Sequence, residues 1–229
     1  MPMTRFCGHP TAVLFDMDGV LFNSMPAHVK AWTRAMNECG FTFNEQDAYM
    51  NEGRTGSGTI RLIAQQQGRS VSDNDIKQIY ALKSTYFLDY PPAEPMPGAG
   101  VLLNKLRDEG TLTILVTGSA TPELLGRLHR YYPGIFVPER MVTGFDVKRG
   151  KPDPEPYLMG LQKGSAVLGR TLDPAECVVV ENAPLGVRAS VAAGIPTIAV
   201  NTGPLPPEAL LSEGAQWLFP SMQDLCDNW

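Results

Sequence analysis

Histidine is scarce in this sequence, three in 229 residues, and the four cysteines (Cys7, Cys39, Cys177 and Cys226) stand apart without CxxC or zinc-ligand spacing. Both shortages argue against a histidine-rich or zinc-type metal centre. No stripe of positive charge is present either: the formal net charge is −5, with acids and bases mixed along the chain, which is not the footprint of a nucleic-acid binder. No apolar run is long enough to cross a bilayer. The opening stretch, residues 1–10, lacks the apolar centre of a secretory signal. From these absences a reducing, cytoplasmic location is expected, with no membrane or nucleic-acid partner. Internal repeats and low-complexity tracts are also missing.

What remains is an ordinary globular composition, 43% apolar, in a length that suits one sizeable core or a core with a smaller partner. Four short apolar runs read as strands: 12–15, 112–116, 178–180 and 197–200. Two more candidates are 141–142 and 217–219. Helical periodicity separates them, as in 101–106, 124–129 and 185–193. Continuously apolar strands that alternate with helices predict a parallel sheet covered on both faces, a doubly wound α/β core. Cys177 opens one strand and is expected in that core.

One stretch breaks the alternation. From about Met25 to Tyr90 the apolar residues recur with helical period: Val29, Trp32, Ala35 and Met36, then Ile60, Ile63 and Ala64, then Ile76, Ile79, Tyr80 and Leu82. It ends at the proline-rich segment 91–98, which stiffens a link and stops a helix. Residues 25–91 therefore read as a small α-helical cap inserted after the first strand, with 1–24 and 92–229 as the core. The alternative is a helical subdomain that only packs on the core. Trp32, Phe41, Phe43 and Tyr86 are expected inside the cap.

Chemistry gathers at strand ends. The run Phe15-Asp16-Met17-Asp18-Gly19 places two carboxylates at the carboxyl end of a strand, where open α/β sheets bind ligands. Met17, between them, should point into the core by alternation. Leu115-Val116-Thr117-Gly118-Ser119 offers a hydroxyl and backbone N–H groups for a phosphate oxygen. In Gly150-Lys151-Pro152-Asp153-Pro154 a lysine stands just before a proline-started helix as a candidate fixed cation. Val180-Glu181-Asn182-Ala183-Pro184 ends a strand in an acid and an amide, oxygen ligands of the kind that hard cations take.

In this order the four motifs resemble the haloacid dehalogenase superfamily, and the position of the helical insert with the Gly-Lys-Pro-x-Pro segment resembles its β-phosphoglucomutase-like branch. The resemblance implies a Rossmann-like core, a helical cap, a Mg²⁺ ion and an aspartyl-phosphate intermediate. On the matching positions Asp16 is the implied nucleophile and metal ligand. Asp18 is the implied acid and base, with its backbone carbonyl on the metal. Thr117 and Gly118, with Ser119 beside them, would hold the phosphoryl, and Lys151 would neutralise Asp16 and the transferring oxygens. Asn182 departs from the pattern, because many relatives carry aspartate there; the amide keeps an oxygen but loses a charge. Glu181 either acts through a water or only orients Lys151.

The cap loop Asn51-Glu52-Gly53-Arg54-Thr55-Gly56 bears on the substrate. Glu52 either aims inward, completing the metal shell weakened at Asn182, or is a loop acid facing water. Sugar-phosphate mutases of this branch generally supply an arginine near Gly56; here Arg54 lies two residues earlier. Lys83 and His28 are further candidates to contact the departing group. Glu52 with Glu-Asn-Ala-Pro-Leu-Gly resembles an inorganic-pyrophosphatase type, so a Mg²⁺-dependent phosphohydrolase of pyrophosphate is the leading expectation. The rivals are a sugar-phosphate phosphatase, a β-phosphoglucomutase and, more remotely, a non-catalytic binding protein, which has no need of both aspartates. The expected partner is one small phosphorylated molecule, and the expected state is a monomer.

Overall fold

The computed structural model describes residues 5–119 and 122–229, and within them the side chains of 122–125 are left aside. The first four residues of the opening stretch, and the leading side chains of the pattern at 124–129, therefore lie outside the described residues. Six parallel strands form one sheet: β1 (Ala12–Phe15), β2 (Leu112–Val116), β3 (Met141–Val142), β4 (Cys177–Glu181), β5 (Thr197–Val200) and β6 (Trp217–Phe219). Their order is β3-β2-β1-β4-β5-β6, so β1 is central and the winding reverses on either side of it. A strand buried on both faces need not alternate, and all of β1, β2, β4 and β5 is buried. The strand read at 178–180 gains one residue at each end, and Cys177 opens it within the core.

Each face of the sheet has its own apolar layer. On one, Val13, Phe15 and Met17 pack with Leu102, Leu103 and Leu106 of α5 (Ala99–Asp108) and with Leu128 of α6 (Pro122–Tyr131). Met17 is fully buried there, as alternation requires. On the other, Ala12, Leu14, Ile114 and Val116 meet Tyr157 and Leu161 of α7 (Glu155–Leu168) and Ala189 of α8 (Pro184–Ala192). Close approach of α7 depends on two missing side chains. A Cβ on Gly160 would lie 2.8 Å from Leu14 Cδ2, and one on Gly164 2.8 Å from Ile114 Cδ1. Two short helices, α9 (Glu208–Leu211) and α10 (Met222–Asp227), complete the sheet region. Among the described residues no helix is long and apolar enough to cross a membrane.

Between β1 and α5 the chain forms only helices: α1 (Met25–Glu38), α2 (Glu45–Met50), α3 (Gly56–Gln66) and α4 (Asp73–Leu88). Side-chain caps set the starts of α2, α3 and α4. Asn44 and Ser72 make reciprocal capping boxes with Asp47 and Asp75, and Thr55 caps α3. Val29, Met36, Phe41, Phe43, Ile60, Ile63 and Ile76 form a separate apolar cluster, with Trp32 packed against it. Tyr86 and Phe87 join Ala31 and Ala35 in a second cluster. The chain leaves and re-enters the sheet region through two segments bonded to each other, Asn23 N to Glu94 O and Met96 N to Leu21 O, both at 2.9 Å. The proline-rich link is thus tied to the outgoing one.

Gly160→Leu forces four extra carbons between α7 and the sheet and is expected to cost about 1–3 kcal/mol. Urea unfolding should show a lower midpoint at unchanged slope; an unaltered midpoint would mean that α7 does not lie this close to β1 and β2.

Candidate active site

Register brings the motifs together. Phe15 is level with Leu115 and with Val180, so the residues following β1, β2 and β4 emerge side by side at the carboxyl edge. Asp16 follows β1, Thr117 follows β2, and Asn182 follows β4. Lys151 arrives from the loop before α7 and is 1% exposed. Its Nζ donates to Asp16 Oδ1 at 2.5 Å, to Glu181 Oε1 at 2.6 Å and to Val116 O at 3.1 Å. One ammonium therefore serves two carboxylates. Burial raises Asp16 above its usual range, against the pull of Lys151, and those two carboxylates hold Lys151 firmly protonated against the cost of its own burial.

Glu181 is bonded to Lys151, as the second of the two roles open in the sequence requires. Besides Lys151, its Oε1 accepts from the Tyr157 hydroxyl at 2.8 Å. Its Oε2 accepts from the backbone N–H groups of Asn182 and Ala183 at 2.9 and 3.1 Å. Four donors thus share its two oxygens, and Lys151 is one of them.

Asp18 lines the same cavity as Asp16. Ser24 Oγ donates to its Oδ1 at 2.5 Å and Ser119 Oγ to its Oδ2 at 2.6 Å. His28 Nε2 is 3.3 Å from Oδ1 but out of line for a hydrogen bond. Burial raises Asp18, yet these neighbours outweigh it and keep the carboxyl far below its usual range. Burial and the Lys83 ammonium push His28 below its ordinary value, against the pull of Asp18, and His28 with the two hydroxyls holds Asp18 down. Lys83 Nζ sits 2.8 Å from His28 Nδ1, and the imidazole stacks on Phe87 at 4.3 Å. Lys83 and His28 do line the cavity, but they engage each other and the acid first.

The loop before α3 lines the cavity through Asn51, Glu52, Gly53 and Arg54. Glu52 is 8% exposed and points inward, where Asn182 Nδ2 donates to its Oε1 at 2.7 Å. A Cβ on Gly118 would lie 2.7 Å from Gly53 O, so the two loops touch through glycines. Thr117 is buried and accepts from Ser119 N at 3.0 Å. Arg54 lines the cavity with its Nε on Asn51 Oδ1 at 3.2 Å. Gly56 cannot be replaced by an arginine in place, because a Cβ there would lie 2.2 Å from the Tyr80 ring. The cavity, which is open to solvent on one side, has a volume of about 60 Å³.

Four carboxylates are buried here, Asp16, Asp18, Glu52 and Glu181, against two ammoniums, Lys151 and Lys83. Burial also pushes Glu52 well above its usual range, with Asp16, Glu181 and Asp18 adding to the push against the Asn182 hydrogen bond. Among the described residues no three His, Cys, Asp or Glu side chains gather as a metal cluster. The oxygens that remain are nevertheless those a hard divalent cation takes: Asp16, Glu52, the Asp18 carbonyl and Asn182 Oδ1, which is buried without a partner. The donor set and the negative excess fit such an ion. Ser24 and Tyr157 were missed in the sequence. Ser24 reads there only as a residue before a helix, and Tyr157 as an apolar position of the later helix α7.

A family model described as "Hydrolase: haloacid dehalogenase-like hydrolase" matches residues 10–194. "Hexitol phosphatase A" of Escherichia coli is 35% identical over 190 residues, 82% of either chain. "2-deoxyglucose-6-phosphate phosphatase 1" of Saccharomyces cerevisiae is 29% identical, over 90% of this chain and 85% of its own. Among solved structures, a "Putative beta-phosphoglucomutase" from Bacteroides vulgatus superposes with a TM-score of 0.89 at 52% identity, covering 95% of this chain and 86% of that one.

Burial lowers Lys83 to about 8, while an unfolded chain keeps that proton up to 10.5. Stability therefore rises with pH between these values and is flat below them. Relative to Lys83→Met, the unfolding free energy of the wild type should climb by up to about 3 kcal/mol across that window. A difference independent of pH would show that Lys83 is not buried as a cation.

Proposed function

The chain belongs to the haloacid dehalogenase-like hydrolase family, and on that footing we propose that it is a Mg²⁺-dependent phosphatase acting through a phosphate ester of Asp16, with a small phosphorylated carbohydrate as substrate. The observation that carries the reading is the buried Asp16–Lys151–Glu181 arrangement at the head of β1, facing a second carboxylate across the cavity. Residues 25–91 would act as the cap over it. Asp16, Glu52, Asn182 Oδ1 and the Asp18 carbonyl would hold the metal, which when bound supplies charge that offsets repulsion between Asp16 and the phosphoryl oxygens.

In the first step an Asp16 oxygen attacks phosphorus and the ester oxygen departs. Thr117 and the Gly118 N–H hold the phosphoryl group, and Lys151 carries positive charge beside the atoms where negative charge shifts. Approach of the anionic phosphoryl makes a charge on Asp18 more costly, so Asp18 takes up a proton and passes it to the leaving oxygen. In the second step Asp18 takes a proton from the water that attacks phosphorus, freeing Asp16. Splitting the displacement in two lowers each barrier.

The relatives named as sugar and polyol phosphatases put phosphorylated carbohydrates ahead of inorganic pyrophosphate, the leading expectation from the sequence. Pyrophosphate stays as a second reading on one observation. With Glu52 drawn inward, the space of about 60 Å³ suits a compact leaving group better than a hexitol. Interconversion of sugar phosphates would need a second phosphate site, and Tyr80 covers the position where an arginine would provide it.

Phosphate release with Mg²⁺ should be measured over hexitol, hexose and glycerol phosphates, pyrophosphate and β-glucose 1-phosphate, with glucose 6-phosphate assayed as a product. Turnover of a sugar or polyol phosphate supports the first reading, and pyrophosphate alone the second. Glucose 6-phosphate without phosphate release would overturn both. Asp16→Asn should abolish release. Glu52→Gln should raise the Mg²⁺ concentration for half activity about tenfold; an unchanged titration would remove Glu52 from the metal.

A further inference from the structure

One polar group of the cluster has no part in the reaction described: the hydroxyl of Tyr157. The residue sits in the first turn of α7, six positions after Lys151, and is fully buried. Most of its ring belongs to the apolar layer with Leu14, Ile114 and Val116. A phenylalanine would fill that volume without the cost of taking a hydroxyl out of water. The hydroxyl instead donates to Glu181 Oε1 at 2.8 Å, the same oxygen that accepts from Lys151 at 2.6 Å. The ring centroid lies 5.1 Å from Lys151 Nζ. Gly186 closes the opposite side, since a Cβ there would sit 1.8 Å from Oε1. Glu181 thus has one place to be, with the tyrosine on one flank and the first turn of α8 on the other.

We propose that Tyr157 is a positioning residue for phosphoryl transfer: by holding Glu181 it keeps the Lys151 ammonium between Glu181 and Asp16. The inference rests on the phosphatase reading and adds to it how the lysine is aimed. A lysine stem has four rotatable bonds and a compact charge, so its aim must come from its acceptors. Without the hydroxyl, Glu181 loses one of its four donors in a site closed to water, and the carboxylate turns to find another. Lys151 turns with it, away from Asp16. The damage falls on the step in which charge moves, while the phosphoryl keeps its contacts with Thr117 and Gly118. The rate constant therefore suffers and the Michaelis constant does not.

The experiment compares Tyr157→Phe, Glu181→Gln, the double variant, and Leu161→Ala as a packing control on the same helix. For the substrate best hydrolysed by the wild type, Tyr157→Phe should lower kcat about tenfold with KM within about twofold. The double variant should be no worse than Glu181→Gln alone, because the hydroxyl acts only through that carboxylate. Leu161→Ala should lower Tm at least as far and leave kcat unchanged. Unchanged kcat in Tyr157→Phe, or losses that multiply in the double variant, would overturn the proposal. Acetic anhydride labelling read by peptide mass spectrometry gives a measure free of turnover. Lys151 should be protected in the wild type and in Leu161→Ala, and several-fold more labelled in Tyr157→Phe. Equal labelling in all three would also overturn it. Protection lost as expected in a protein that releases no phosphate would instead contradict the phosphatase and leave the tyrosine's hold on Lys151 standing.

Discussion

A single buried ammonium shared by two buried carboxylates is the constraint around which this molecule is arranged. A charge taken out of water must be paired and hydrogen-bonded, or it costs several kcal/mol. Lys151 meets that requirement with Asp16, Glu181 and the Val116 carbonyl, contributed by three adjacent strands. The parallel register of β1, β2 and β4 is what brings those acceptors to one point. Two acids on one base still leave the centre short of positive charge. Glu52 and Asp18 deepen the deficit, and only Lys83 reduces it among the buried side chains. That negative excess fits a divalent cation, and Asn182 Oδ1 is a buried oxygen without a partner.

The helical insert contributes through a few atoms. Asn182 can satisfy Glu52 because an amide donates as well as accepts; an aspartate in its place would set two like charges against each other. The carboxyl that this amide meets comes from the insert, on Glu52. Contact between the loops requires Gly118 to lack a side chain, because a Cβ there would lie 2.7 Å from Gly53 O, while Gly53 has a positive φ and faces the Lys151 stem. The same contacts narrow the cavity and join the two parts of the chain.

Most of the sheet was legible in the sequence because each of its strands is a continuous apolar run, and the acids, hydroxyls and amide follow those runs directly. Asp16, Thr117 and Asn182 could be placed by that rule alone. Lys151 could be placed because proline-started helices mark the loop that carries it. Contacts between distant segments left no such trace. Glu52 and Asn182 are 130 positions apart, and nothing local to either shows that one donates to the other. Ser24 is only six residues from Asp18, yet it reads as a helix start, since a serine before a helix has that ordinary use. Tyr157 fits the apolar pattern of its helix, which conceals its hydroxyl. Glu181 was visible as an acid, but the choice between metal and lysine depends on four donors from three segments.

The most direct test of the account is to locate the phosphoryl group during turnover. Wild-type protein mixed with Mg²⁺ and its best substrate, quenched in acid within milliseconds and digested with pepsin, should yield a phosphorylated peptide whose modification maps to Asp16. A phosphoryl group on any other residue, or full turnover with none trapped on Asp16 across the quench series, would contradict it.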